Sequence, residues 1–124
     1  MFVPLTPLQF YRRAAGLFGA KVGVVDGDRR FTYREFGQRV ERLAGALRRL
    51  GLAAGDRVSF MTYNTHHLLE AYYGVPSASG VLNPINIRLA PQEIAYIVGH
   101  AASRVLFFHS EFAPLVQQLR PQLS

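Results

Sequence analysis

Cysteine is absent from this sequence of 124 residues. Its absence excludes a disulfide framework, thiol catalysis and a thiolate zinc site. Lysine occurs only at Lys21, so the rest of the 14 basic residues are arginines. No run approaches the ~20 apolar residues that a membrane-spanning helix needs. The opening stretch MFVPLTPLQFYRR lacks a basic segment followed by a long apolar core, and so does not read as a secretory signal. Neither G-x-G-x-x-G nor G-x-x-x-x-G-K-[ST] occurs, so there is no recognisable phosphate-cradling loop and little case for a dinucleotide-binding domain. Internal repeats and low-complexity segments are also missing. These absences together lead us to expect a cytoplasmic protein without a membrane span.

What remains suits a packed domain. Hydrophobic residues make up 49% of the chain, enough for a core and too many for intrinsic disorder. The length allows one domain, or a piece of a larger one. Formal charge is +6, with 14 basic against 8 acidic residues. Such a balance favours anionic partners in principle. The arginines are spread along the chain, without a dense run and without interleaved aromatics, so no nucleic-acid partner is expected.

The elements read in order. Thr6-Pro7-Leu8-Gln9 opens a helix with a cap, a proline at the first helical position and a glutamine able to reach back. Leu8, Tyr11, Ala15 and Phe18 share one of its faces. Val22 to Asp26 and Arg29 to Thr32 flank an Asp-Gly turn, which signals a hairpin. Thr32-Tyr33-Arg34-Glu35 is a second capping box. Beyond it Phe36, Val40, Leu43, Ala44, Leu47 and Leu50 form a buried stripe, opposite a solvated face of Arg34, Gln38, Glu41, Arg42, Arg48 and Arg49. Gly51 stands where a helix often turns left-handed.

Arg57 to Thr62 is a strand, and Asn64 or Thr65 caps a helix running from about Thr65 to Ser77, which Pro76 kinks or terminates. Val81-Leu82 leads to the turn signals Asn83-Pro84, and Ile85 to Leu89 reads as a second short extended piece. Pro91 starts a helix that buries Ile94, Ile97 and Val98. Arg104 to His109 is a strand whose apolar run suggests burial on both faces. A last helix begins at Ser110-Glu111 and stops at Pro121. Alternating strands and amphipathic helices after an early hairpin mean an α/β fold with a mainly parallel sheet.

Little chemistry stands out. His66, His67 and Glu70 lie within one helical turn, and His66 and Glu70, four apart, could face one metal ion. A third ligand is not evident, so they read as surface residues at a helix start, and no metal site is assigned. His100 and His109 have no Ser–acid arrangement nearby, so no catalytic residue is assigned. Ser59 reads as a sheet residue. Asn83, Asn86 and Arg88 are polar groups among apolar neighbours. Either the asparagines make turns and Arg88 pairs with a carboxylate such as Glu93, or Arg88 projects into a cleft and meets a phosphate, for which its fork of donors is suited.

Several pieces, in order, resemble the N-terminal part of the AMP-forming acyl-CoA synthetases, within the adenylate-forming enzymes. They are VVDGDRRFTYREF (Val24 to Phe36), RLAGALRRLGLAAGDRV (Arg42 to Val58), Asn64 before its helix, VLNPINIRLAPQEIAYIV (Val81 to Val98) and RVLFFHSEF (Arg104 to Phe112). The likeness is strongest to fatty-acyl or medium-chain ligases. It implies a reaction in two steps. A carboxylic acid reacts with ATP in the presence of Mg²⁺ to give an acyl-adenylate, and coenzyme A then displaces AMP. It also implies that residues 1–124 are the first portion of a large domain of α/β subdomains and a β-barrel. The family's phosphate loop, barrel and C-terminal domain have no matching position here. The expectation is therefore a segment that is inactive alone and binds no cofactor by itself. Its partners would be the remainder of the ligase, or a second copy through uncovered apolar faces. In the N-x-R-L pattern, the resemblance makes Arg88 a contact to the coenzyme A nucleotide phosphate. Ser79-Gly80 departs from the family's Gly-Ala, though both pairs are small. The competing expectation is a stand-alone basic α/β binding module.

Overall fold

The structure, a computed structural model, describes residues 6–123. The reading of the N-terminal stretch as no secretory signal rests partly on residues 1–5, outside the described residues. The elements are α1 (Pro7–Leu17), β1 (Val22–Asp26), β2 (Arg29–Thr32), α2 (Tyr33–Arg49), β3 (Arg57–Met61), α3 (His66–Ser77), β4 (Val81–Pro84), α4 (Pro91–His100), β5 (Val105–Phe108) and α5 (Ala113–Leu119). Single 3₁₀ turns, Ser110–Phe112 and Arg120–Gln122, flank α5. The expected α/β order is present throughout.

The sheet is parallel, with strand order β4-β3-β5. Successive side chains of a strand point to opposite faces, and β3 divides its residues accordingly. Val58 and Phe60 join Ala44 and Leu47 of α2 and Ala71 and Val75 of α3 on one side. Met61 joins Ile94, Ala95 and Val98 of α4 and Leu119 of α5 on the other. Helices therefore cover both faces. A third cluster, of Tyr11, Val24, Phe36 and Val40, holds α1 and the antiparallel β1–β2 hairpin against α2.

The α2 helix forms as its sequence dictates. The Thr32 hydroxyl accepts from the Glu35 N–H, and the Glu35 carboxylate accepts from the Thr32 N–H at 2.8 Å. Its arginines at 34, 42, 48 and 49 are exposed, although Arg48 also donates to the Ser77 carbonyl at 2.5 Å. Gly51 takes φ +78, ending the helix. Leu50 leaves the expected buried stripe and is exposed.

Where α2 crosses α3, Gly74 sits so close that a Cβ there would lie 2.7 Å from Leu43 Cδ2. Gly74 thus serves the packing of α2 on α3.

Several local expectations are corrected. Thr6 precedes Pro7 as expected but makes no side-chain capping bond. Thr65 also fails to cap α3 through its side chain. Instead Asp26, from the hairpin, accepts the His66 backbone N–H at 3.0 Å. Asn83-Pro84 is not a turn. Both residues lie in β4, opposite Ser59 and Phe60, and Asn83 donates to the Ser59 hydroxyl at 2.9 Å. Proline is tolerated because β4 is an outer strand. Ile85 to Leu89 is accordingly a turn and not a second strand. β5 is half-buried, with Phe108 exposed, because it too is an outer strand and only β3 is covered throughout. The Ser59 side chain, fully buried, is satisfied by the Ser103 hydroxyl at 2.6 Å as well as by Asn83.

Candidate functional site

Open parallel sheets present ligand crevices beyond the carboxyl ends of their strands. This sheet has such a groove, of about 600 Å³, where β3 and β4 end. Thr62, Tyr63 and Asn64, the residues following β3, form one wall. Ile85 to Arg88, following β4, form the other, and Tyr72 of α3 closes the back.

The turn after β4 aims the wall. Ile85 is buried and its N–H continues the ladder to the Phe60 carbonyl at 2.8 Å. Asn86 then accepts the Arg88 N–H through its side-chain oxygen at 3.0 Å, an Asx turn. The Arg88 side chain is exposed at the groove. Glu93, its expected carboxylate partner, instead accepts the Ala90 N–H at 2.8 Å at the start of α4. Among the described residues no carboxylate pairs with Arg88. Its guanidinium is therefore available to an anion.

The opposite wall is aromatic and polar. Tyr63 donates its hydroxyl to Glu111 at 2.8 Å, and this bond raises its pKa above the usual phenol value, keeping it protonated. His109 packs edge-on against Tyr63 and accepts the Glu111 N–H through Nδ1 at 3.3 Å. Among the described residues no acidic side chain lines the groove. An arginine fork, two asparagines and two tyrosines can hold a phosphate and a flat ring. Among the described residues the lining offers no carboxylate for a magnesium ion.

The other sequence candidates fall elsewhere. His100 stacks on Tyr96, with ring centroids 5.5 Å apart. His66 and Glu70 are buried, against the expectation of surface residues, because the hairpin and α2 pack over the start of α3. A larger groove of about 770 Å³ runs between α1 and α2, fringed by Arg12, Arg34, Arg42 and Arg49. It is a valley between two helices, away from the strand ends. Tyr63 and Tyr72 were not singled out in the sequence. The available signal was the position of Tyr63, just past the end of β3, whereas Tyr72 lies within α3 and reaches the groove only through the fold.

The profile of the family described as AMP-binding enzyme matches residues 11–124. A long-chain-fatty-acid–CoA ligase of Thermus thermophilus is 47% identical over 118 residues, which cover 92% of this chain and 22% of that protein. The 4-hydroxybutyrate–CoA ligase 2 of Metallosphaera sedula is 40% identical, over 96% of this chain and 22% of the relative. Among solved structures, the N-terminal domain of FACL13 from Mycobacterium tuberculosis superposes with a TM-score of 0.88 at 29% identity, over 94% of this chain and 30% of that one. A benzoate CoA ligase from Burkholderia xenovorans gives 0.86 at 25% identity, over 92% and 23%. The chain thus spans about 22% of the length of the curated relatives it matches.

Proposed function

The chain belongs to the AMP-binding enzyme family, and from that premise we propose that it is the non-catalytic N-terminal segment of an ATP-dependent acyl-CoA ligase. The parent enzyme activates a fatty or other carboxylic acid as an acyl-adenylate and passes the acyl group to coenzyme A. The relatives are CoA ligases for acids as different as long-chain fatty acids and 4-hydroxybutyrate. A segment common to them suits a shared substrate better than the variable acid.

The observation that carries the reading is the unpaired guanidinium of Arg88 in the groove at the sheet's carboxyl end. In this proposal Arg88 holds a phosphate of the coenzyme A nucleotide, and the tyrosine wall takes its ring. ATP and Mg²⁺ are assigned to the rest of the enzyme, since among the described residues no carboxylate lines the groove to hold the metal. The outer strands β4 and β5 expose Val81 and Phe108, which suits coverage by the remainder of the ligase.

The purified chain, given ATP, Mg²⁺ and a fatty acid, should release no pyrophosphate, and measurable release would refute the non-catalytic assignment. Adenosine 3′,5′-bisphosphate, a fragment of coenzyme A, tests Arg88 by calorimetric titration. Arg88→Gln should weaken its binding by about tenfold or more, the scale of one lost charge-assisted pair. Equal binding by both proteins would remove Arg88 from the site.

A further inference from the structure

The start of α3 carries a second constellation, whose cavity adjoins the Arg88 groove at Thr62. One ring nitrogen of His66, one of His67 and a carboxylate oxygen of Glu70 all lie within 4.8 Å of one another. The two imidazoles are adjacent, with centroids 3.9 Å apart, and His67 Nδ1 is 3.7 Å from Glu70 Oε2. His66 and Glu70 are buried, only 5% and 6% exposed.

The polar accounting around His66 is incomplete in a telling way. Its Nδ1 is 2.5 Å from Asp26 Oδ2. A carboxylate can only accept, so this nitrogen carries the proton. In the neutral ring the other nitrogen, Nε2, then keeps a bare lone pair. That atom is buried and, among the described residues, has no hydrogen-bond partner. Buried polar atoms are rarely left so. A histidine that donates one nitrogen to a carboxylate and offers the other as a free lone pair is arranged as metal-binding histidines are.

We propose that His66 Nε2, a ring nitrogen of His67 and Glu70 Oε2 bind a divalent transition metal ion of the zinc class, with Asp26 orienting His66. Ligand atoms around a tetrahedral ion at bond lengths of about 2.0–2.1 Å stand roughly 3.4 Å apart. Small side-chain rotations close the present spacing to that value. His67 and Glu70 also line a cavity of about 370 Å³, shared with Thr62 and His109, which gives the ion an entry path to these two ligands.

The surroundings decide which ions fit. Arg39 holds the other carboxylate oxygen of Glu70, and its guanidinium lies over the Phe31 ring. The start of α3 adds the positive end of a helix dipole. Both oppose a cation. Binding must therefore come from directed imidazole bonds, which select zinc-like ions over calcium or magnesium.

The test is calorimetric titration of the chelator-treated chain with Zn²⁺, with Co²⁺ as a spectroscopic probe. One ion per chain should bind, with micromolar affinity given the opposing charges, and Mg²⁺ should not. Co²⁺ should develop the visible absorption of a four-coordinate site. His67→Asn, at an exposed position that leaves the fold intact, should weaken Zn²⁺ binding at least tenfold. Asp26→Asn should weaken it by about tenfold, as loss of an orienting carboxylate does. His100→Asn should change nothing. Absence of saturable Zn²⁺ binding would overturn the proposal. So would binding unchanged in His67→Asn, or equally reduced in His100→Asn.

Discussion

The carboxylate of Asp26 accepts two hydrogen bonds from His66, one from its backbone N–H at 3.0 Å and one from its ring Nδ1 at 2.5 Å. One side chain of the hairpin thereby caps α3 and fixes an imidazole, across 40 residues of sequence. The backbone bond, then the ring bond, lowers the pKa of Asp26 below the usual carboxylate value. In metal-free protein, Asp26→Ala should lower the melting temperature more than Asp26→Asn, which keeps an acceptor. Amide exchange should rise first at the start of α3 and in the hairpin. Equal melting temperatures for Asp26→Ala and the parent chain would show that the contact contributes nothing.

Gly74 permits the approach of α2 and α3. A methyl there would meet Leu43 Cδ2 at 2.7 Å and Leu43 Cβ at 3.1 Å. The helix would gain propensity from Gly74→Ala, but overpacking typically costs about 1–3 kcal/mol. Denaturant unfolding should show a net loss of stability, and Leu43→Ala in the same chain should relieve part of it.

Leu47 is wholly buried between α2 and the sheet. Leu47→Ala leaves a cavity and should cost about 2–5 kcal/mol. A solvent-face control such as Gln38→Ala, on the opposite side of α2, should stay within about 0.5 kcal/mol of the parent.

The capping box of α2 makes a pH-dependent contribution. Bonds from the Thr32 backbone N–H, then its hydroxyl, lower the Glu35 pKa below its ordinary 4.5. A carboxyl with a lowered folded-state value stabilises the protein above its unfolded value, and the contribution is lost as pH falls through the folded value. The parent chain should therefore melt above Glu35→Ala at neutral pH, with the gap closing in acid below 4.5. A gap constant across that range would contradict the assignment. Thr32→Ala, which removes the other half of the box, should cost about 1 kcal/mol.

If Arg88 holds a phosphate, its contribution is electrostatic and partly screened by salt. Affinity for adenosine 3′,5′-bisphosphate should fall with rising ionic strength in the parent chain, and less steeply in Arg88→Gln. Parallel salt slopes would argue that the nucleotide binds elsewhere.

The sequence by itself determined the order and kind of the elements. Periodicity at α2, the Thr32–Glu35 box, Gly51 at the helix end and the Asp26-Gly27 turn are local signals, each complete within a few residues. The family likeness rests on the same short pieces. Only the tertiary structure decided that Asn83-Pro84 continues a strand, because Ser59 and Phe60 must lie alongside before its ladder exists. It also decided that His66 and Glu70 are buried, since Asp26 and Arg39 reach them from 40 and 31 residues away. Arg88 was legible as a candidate, but the groove it faces was not, because its walls follow β3 and β4 and meet only when the two strands pair. A helix or turn is encoded by neighbours along the chain. Burial and partner choice depend on which segments the parallel crossovers bring together, and no short stretch contains both sides of such a contact.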